Sequence, residues 1–112
     1  FALRSPYSTA KWGVIGLSKS LAIELGEYGI RVNAVLPGVV SGQRQENILR
    51  NKASARNISY EEVEAEALSY ASIKQYVSPL DIANQILFLA SDNGKMISGQ
   101  AISVCGDLKM LS

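Results

Sequence analysis

A long helical periodicity that runs directly into a short β-branched segment limits this chain more than any other feature. Apolar residues recur at Val14, Leu17, Leu21 and Leu25, with Trp12, Ile15 and Ala22 widening the stripe. Pro6 suits the first turn of such a helix, where a missing N–H costs nothing. Gly26 or Gly29 is expected to end it, because glycine accepts the left-handed conformation of a C-terminal cap. Ile30 to Leu36 follows at once, bounded by Gly29 and Pro37, and reads as a strand. A helix feeding a strand over so short a connection is one arm of an α/β unit. Pro37-Gly38 breaks the chain at the strand's C-terminal end, where open α/β sheets hold their ligands.

The rest of the pattern continues the alternation. Residues 43–57 are polar and predicted helical, with Arg44, Arg50, Lys52 and Arg56 making them basic. Ser59 and Glu62 have the spacing of a capping box, which opens a second helix near residues 60–72. Glu61, Glu62, Glu64 and Glu66 make that helix acidic, so two solvated faces of opposite charge are expected to pair. Together the two helices form an insertion, residues 41–77. Ser78-Pro79-Leu80-Asp81 starts a third helix, with Ser78 as N-cap and Asp81 at the positive end of the helix dipole. Ile82, Ile86, Leu87, Leu89 and Ala90 are its expected buried face, and Ser91 to Gly94 stops it. Ile97 to Gln100 reads as a turn and Ala101 to Val104 as a last strand.

Composition removes several function classes. At 112 residues the chain suits one domain or part of one, and 47% hydrophobic against 19% charged residues is the composition of a packed core. A net charge of +1 gives no reason to expect nucleic acid or an anionic membrane as partner. There is no histidine, which removes the commonest general base, the commonest metal ligand and every Ser-His-Asp scheme. Cys105 is the single cysteine, so neither an internal disulfide nor a cysteine-built zinc site can form, and no metal is expected. No apolar run approaches the roughly 20 residues that span a bilayer. The opening residues do not have the pattern of a signal peptide, and a cytoplasmic location is expected.

Tyr7 and Lys11 are four apart on the first helix, which places them on one face within reach of each other. A free tyrosine ionises near pH 10, and a neighbouring ammonium favours the phenolate. A phenol poised in this way can take a proton from an alcohol or return one to a carbonyl. Such a pair also arises by chance on surface helices, so alone it specifies little.

Its surroundings specify more. The run from Pro6 through Tyr7-Ser8-Thr9-Ala10-Lys11 to Ala22 resembles the active-site helix of the short-chain dehydrogenase/reductase family. Glu24-Leu25, Gly29 to Val35 and Pro37-Gly38 continue the match in order. Leu80-Asp81-Ile82-Ala83 with Leu87 to Ser91 resembles the family's late helix, and Ile97 to Gln100 with the strand after it resembles its last strand. The likeness is weakest from Gln43 to Val77.

The resemblance implies the C-terminal part of a doubly wound, Rossmann-like parallel sheet with flanking helices, residues 1–112 being a portion of one NAD(P)-binding domain. It implies Tyr7 as the catalytic acid/base. Lys11 would favour its ionised form and bond the nicotinamide ribose. Pro37, Gly38 and Val40 would cradle the nicotinamide of NAD or NADP. A threonine that touches the cofactor in many members is replaced by Gly42, with Ser41 beside it. The implied reaction is hydride transfer between the cofactor and a small secondary alcohol or ketone, in a homodimer or homotetramer. The family's catalytic serine and glycine-rich turn fall ahead of Phe1, so the chain is read as a cut through a larger protein. A catalytically incomplete piece acting only as a binding or oligomerisation module is the alternative, and an epimerase-like relative using the same pair is a third.

Several residues carry more modest expectations. Gly13 and Gly16 sit inside a helix, where each costs about 1 kcal/mol relative to alanine, so close packing within the subunit or across an interface is expected to compensate. Trp12 is read as a packing or interface residue and Cys105 as a buried, inert thiol. Tyr60, Tyr70, Tyr76, Met96 and Met110 are candidates to line a substrate pocket, with packing of the lid as the competing role. Asn33 is expected to end the strand and secure local backbone hydrogen bonds.

Overall fold

The computed structural model describes residues 4–109. Among them the order is α1 (Ser5–Leu25), β1 (Ala34–Pro37), α2 (Gln43–Arg56), α3 (Tyr60–Ser69), α4 (Pro79–Ala90) and β2 (Ala101–Val104), an α/β chain. The strands are neighbours in one sheet. Ala34 N donates to Gln100 O at 2.8 Å and Gly38 N to Val104 O at 2.9 Å. Both bonds advance equally on the two strands, so the pair is parallel. No helix among the described residues is long and apolar enough to cross a membrane.

The chain forms two compact units. The first comprises residues 4–36 and 84–102 of the described chain. Here α1 ends as expected. Gly26 starts a 3-10 turn, Gly29 takes φ +73°, and Ile30 N donates to Leu25 O at 3.3 Å. The strand begins four residues later than the β-branched run predicts. Arg31, Val32 and Asn33 instead bind the turn before β2. Arg31 and Asn33 both donate to Ile97 O, Val32 N donates to Ser98 Oγ, and Gly99 N donates to Val32 O. Asn33 therefore precedes the strand instead of ending it, and its side chain bonds backbone groups distant in sequence, its Oδ1 also accepting from Gln100 N at 3.1 Å.

The buried face of α1 is rotated from the predicted stripe. Its protected residues are Ser8, Lys11, Ile15, Ser18, Leu21, Ala22 and Leu25, of which Ile15 alone is fully buried. Val14 and Leu17 are more than half exposed, as is Trp12. Apolar residues lie all around this helix, so periodicity cannot choose which side faces the sheet. The same holds on α4, where Ile82, Gln85 and Leu89 face inward while Ile86, Leu87 and Ala90 are exposed. A methyl added at Gly13 or Gly16 meets nothing within 4 Å, so no packing inside the unit requires either glycine. Gly94, after α4, is different. A Cβ there would lie 2.8 Å from the Leu89 and Phe88 carbonyl oxygens.

The second unit comprises residues 37–83 and 103–109 of the described chain. Helices α2 and α3 form a hairpin around Leu49, Ala53 and Val63. Asn57 caps α2 in the left-handed conformation, and Glu62 N donates to Ser59 Oγ at 3.1 Å as the capping box predicts. The opposite charges do pair, Arg56 with Glu66 at 2.7 Å. Helix α3 stops at Ser69, short of the predicted residue 72, because Tyr70 to Ile73 pair with the chain's C-terminal segment. Ser78 and Asp81 cap α4 reciprocally, at 2.9 and 3.1 Å.

Candidate active site

In the first unit, one helical turn separates Tyr7 from Lys11 and brings their polar ends together. Lys11 Nζ donates to Tyr7 Oη at 3.4 Å and lies 5.5 Å from the ring centroid. The Arg4 guanidinium stands 5.9 Å from the same ring. Two cations therefore face one phenol. Tyr7 is about half exposed, whereas Lys11 belongs to the protected seam of α1. Lys11 is an obligate donor, so Tyr7 receives its hydrogen and keeps its own O–H as a donor.

The pair borders a cleft of about 340 Å³. Val14 and Ile15 from α1 and Val35 and Leu36 from β1 line its apolar walls. A phenol and an ammonium therefore stand at the rim of an apolar cleft, where the walls strengthen local electrostatics.

Pro37, Gly38 and Val40 belong to the second unit. Gly38 is required by the residue just after β2: a Cβ there would lie 2.7 Å from Cys105 Cα. Val40 forms an isolated parallel bridge with Val77, made by Ser41 N to Val77 O at 2.9 Å and Val77 N to Val39 O at 2.8 Å. In a parallel bridge the flanking residues make the bonds. The N–H and C=O of Val40 itself therefore point away from Val77. A donor and an acceptor on one peptide edge fit a planar carboxamide such as nicotinamide's. Gly42 has φ +147°, a conformation that side chains rarely adopt, so the backbone at that position disfavours a threonine.

Of the proposed pocket residues, Tyr60 and Tyr76 line one cavity of about 290 Å³ with Ser41, Glu46 and Glu64. Tyr76 Oη donates to Glu64 Oε2 at 2.5 Å. Tyr70 borders a different cavity, lined by Leu49 and Val63 of the hairpin core. Met96 is almost fully exposed in the first unit, and Met110 lies outside the described residues. Cys105 is half-buried rather than buried, and its sulfur accepts from Leu108 N at 3.3 Å. Sequence reasoning missed the pairing of Ser72 with Asp107 and of Lys19 with the Gly99 carbonyl. Neither has a local signal, since the partners are far apart in the chain.

Residues 2–107 match the family model described as enoyl-(acyl carrier protein) reductase. The chain is similar to a putative ketoacyl reductase of granaticin polyketide synthase from Streptomyces violaceoruber, with 36% identity over 92% of this chain and 38% of the relative. It superposes on a short chain dehydrogenase family protein from Francisella tularensis with TM-score 0.86 and 31% identity, over 93% of this chain and 43% of the other. It also superposes on an actinorhodin polyketide ketoreductase crystallised with NADPH, with TM-score 0.85 and 32% identity, over 95% of this chain and 41% of the other. The chain thus spans about two fifths of the length of the proteins it matches.

Proposed function

The chain belongs to the short-chain dehydrogenase/reductase family, and on that premise we propose that the protein carrying it exchanges a hydride between NAD or NADP and a secondary alcohol or ketone. Tyr7 is the acid/base of this reaction and Lys11 its cationic partner. The nicotinamide, when bound, supplies or accepts the hydride. The protein's share is the proton and the orientation. During oxidation the Tyr7 oxygen takes the alcohol proton, and during reduction its O–H gives one to the forming alkoxide. The Lys11 ammonium stabilises the phenolate left behind and is placed to bond the ribose hydroxyls. Pro37, Gly38 and Val40 hold the nicotinamide, with the outward peptide groups of Val40 reading its carboxamide.

Residues 41–77 form the substrate lid. The exposed apolar side chains of α1, Trp12, Leu17 and Ile23, belong to contacts of the complete assembly, a homodimer or homotetramer.

The observation that carries this reading is the Tyr7–Lys11 contact at the rim of the apolar cleft. Tyr7→Phe in the full-length protein tests it. The variant should lose about 10²- to 10⁴-fold in turnover and bind NADPH or NADH as the parent does. Turnover near the parent's would sink the assignment.

A further inference from the structure

The hairpin of α2 and α3 is tied down at both of its roots. At the entry, Val39 and Ser41 bond Val77. At the exit, the segment after α3 pairs with residues 106–109. Lys109 N donates to Tyr70 O at 3.2 Å, Ser72 N to Asp107 O at 3.2 Å and Ile73 N to Gly106 O at 3.0 Å. The antiparallel bridge between them, Ala71 with Leu108, is buried on both sides. Between the two roots the hairpin has its own core and its own ion pair, so it can hold together as one body.

A side-chain bond reinforces the exit root. Ser72 Oγ donates to Asp107 Oδ2, so Asp107 grips Ser72 twice, by carboxylate and by carbonyl. Asp107 does this from φ +61°, a region that non-glycine residues seldom occupy. Such a conformation persists only where its surroundings over-determine it. Gly106, also at positive φ, has Ile73 O 3.1 Å from where a Cβ would stand, which brings the two backbones close. The strained residue is thus the one whose side chain closes the contact.

We propose that Ser72 and Asp107 form a latch that sets the position of the helical hairpin for substrate, making them positioning residues of the reaction. This rests on the reading of residues 41–77 as the substrate lid. Loss of the latch leaves the hairpin core, the Tyr7–Lys11 pair and the Pro37–Val40 segment untouched. It loosens only how the hairpin is held.

The test uses the full-length protein with Ser72→Ala, Asp107→Gly and Asp107→Asn. Glycine is at ease at positive φ, so Asp107→Gly removes the carboxylate without adding strain. Asparagine tolerates the same backbone and its amide oxygen still accepts from Ser72. Ser72→Ala and Asp107→Gly should each raise the substrate KM about three- to tenfold, the factor an ordinary hydrogen bond supplies. Turnover and the cofactor dissociation constant should stay at parental values. The double variant should match either single one, and Asp107→Asn should restore the parental KM. Amide exchange in residues 43–69 should quicken in the two weakened variants. Parental KM and exchange in both would overturn the latch alone. Failure of the parent itself to turn over any ketone or alcohol would overturn the enzymatic reading, and unchanged exchange in the variants would then overturn the latch independently.

Discussion

The Tyr76 hydroxyl donates to the Glu64 carboxylate at 2.5 Å, tying the segment before α4 to α3. Partial burial and this bond push the Tyr76 ionisation well above its ordinary value. A tyrosine is neutral below that value, so the sign is simple. Its contribution to stability is complete below about pH 10, where the unfolded phenol begins to ionise. It is lost as pH climbs beyond that. Stability should be flat in this respect from pH 6 to 9 and fall in the strongly alkaline range. Tyr76→Phe should remove that fall and cost about 1 kcal/mol at neutral pH. Urea unfolding at several pH values, with ultraviolet titration of the tyrosinates, reads both.

Asn33 joins two strands by their turn, donating to Ile97 O and accepting from Gln100 N. Asn33→Ala leaves Gln100 N without its side-chain acceptor at an exposed position and removes the donor to Ile97 O, and should cost about 0.5–1.5 kcal/mol. Asn33→Asp keeps the acceptor and loses the donor, while Arg31 still serves Ile97 O. Its cost should fall between those of the parent and the alanine variant. Equal midpoints in denaturant for all three proteins would show that the turn is held by backbone bonds alone.

These residues mark where the sequence was legible and where it was not. Caps are local, and Ser59 with Glu62 and Ser78 with Asp81 were readable from spacing alone. So was β2, and so was the adjacency of Tyr7 and Lys11, since four residues on a helix fix it. The start of β1 was not, because the competing partner of Arg31 and Asn33 lies at residue 97. The end of α3 was not, because residues 106–109 decide it. The buried face of α1 was hidden for another reason. Ser8, Lys11 and Ser18 share the inward seam, whereas Val14 and Leu17 face outward. A pattern that counts only apolar residues therefore finds Ile15, Leu21, Ala22 and Leu25 but misplaces Trp12, Val14 and Leu17.

Glycines separate the two kinds of constraint. Gly94→Ala drives a methyl to 2.8 Å from two carbonyl oxygens and should destabilise by about 1–3 kcal/mol. Gly13→Ala and Gly16→Ala meet open space inside a helix. Each should stabilise this chain by about 1 kcal/mol, since alanine is the better helix former. Calorimetric melting distinguishes the signs. Light scattering of the full-length alanine variants adds a second reading, because a loss of assembly would place these glycines at an interface between copies.

Lys11 differs from Tyr7 in what its loss should do. Tyr7→Phe removes the proposed proton carrier and leaves the ammonium in place. Lys11→Met removes the ammonium that donates to Tyr7 Oη and, with it, the donor proposed for the ribose. Both turnover and cofactor affinity should therefore fall, the latter about 10- to 100-fold if a charged hydrogen bond is lost. Lys11→Arg keeps the charge but replaces a compact ammonium with a planar fork. From the protected seam of α1 that fork cannot meet the phenol and a ribose in the same way, so a partial loss of both is expected. Fluorescence titration with NADPH and steady-state turnover, measured on the same preparations, separate the two roles. If Lys11→Met binds the cofactor as tightly as the parent while turnover falls, the lysine acts on Tyr7 alone.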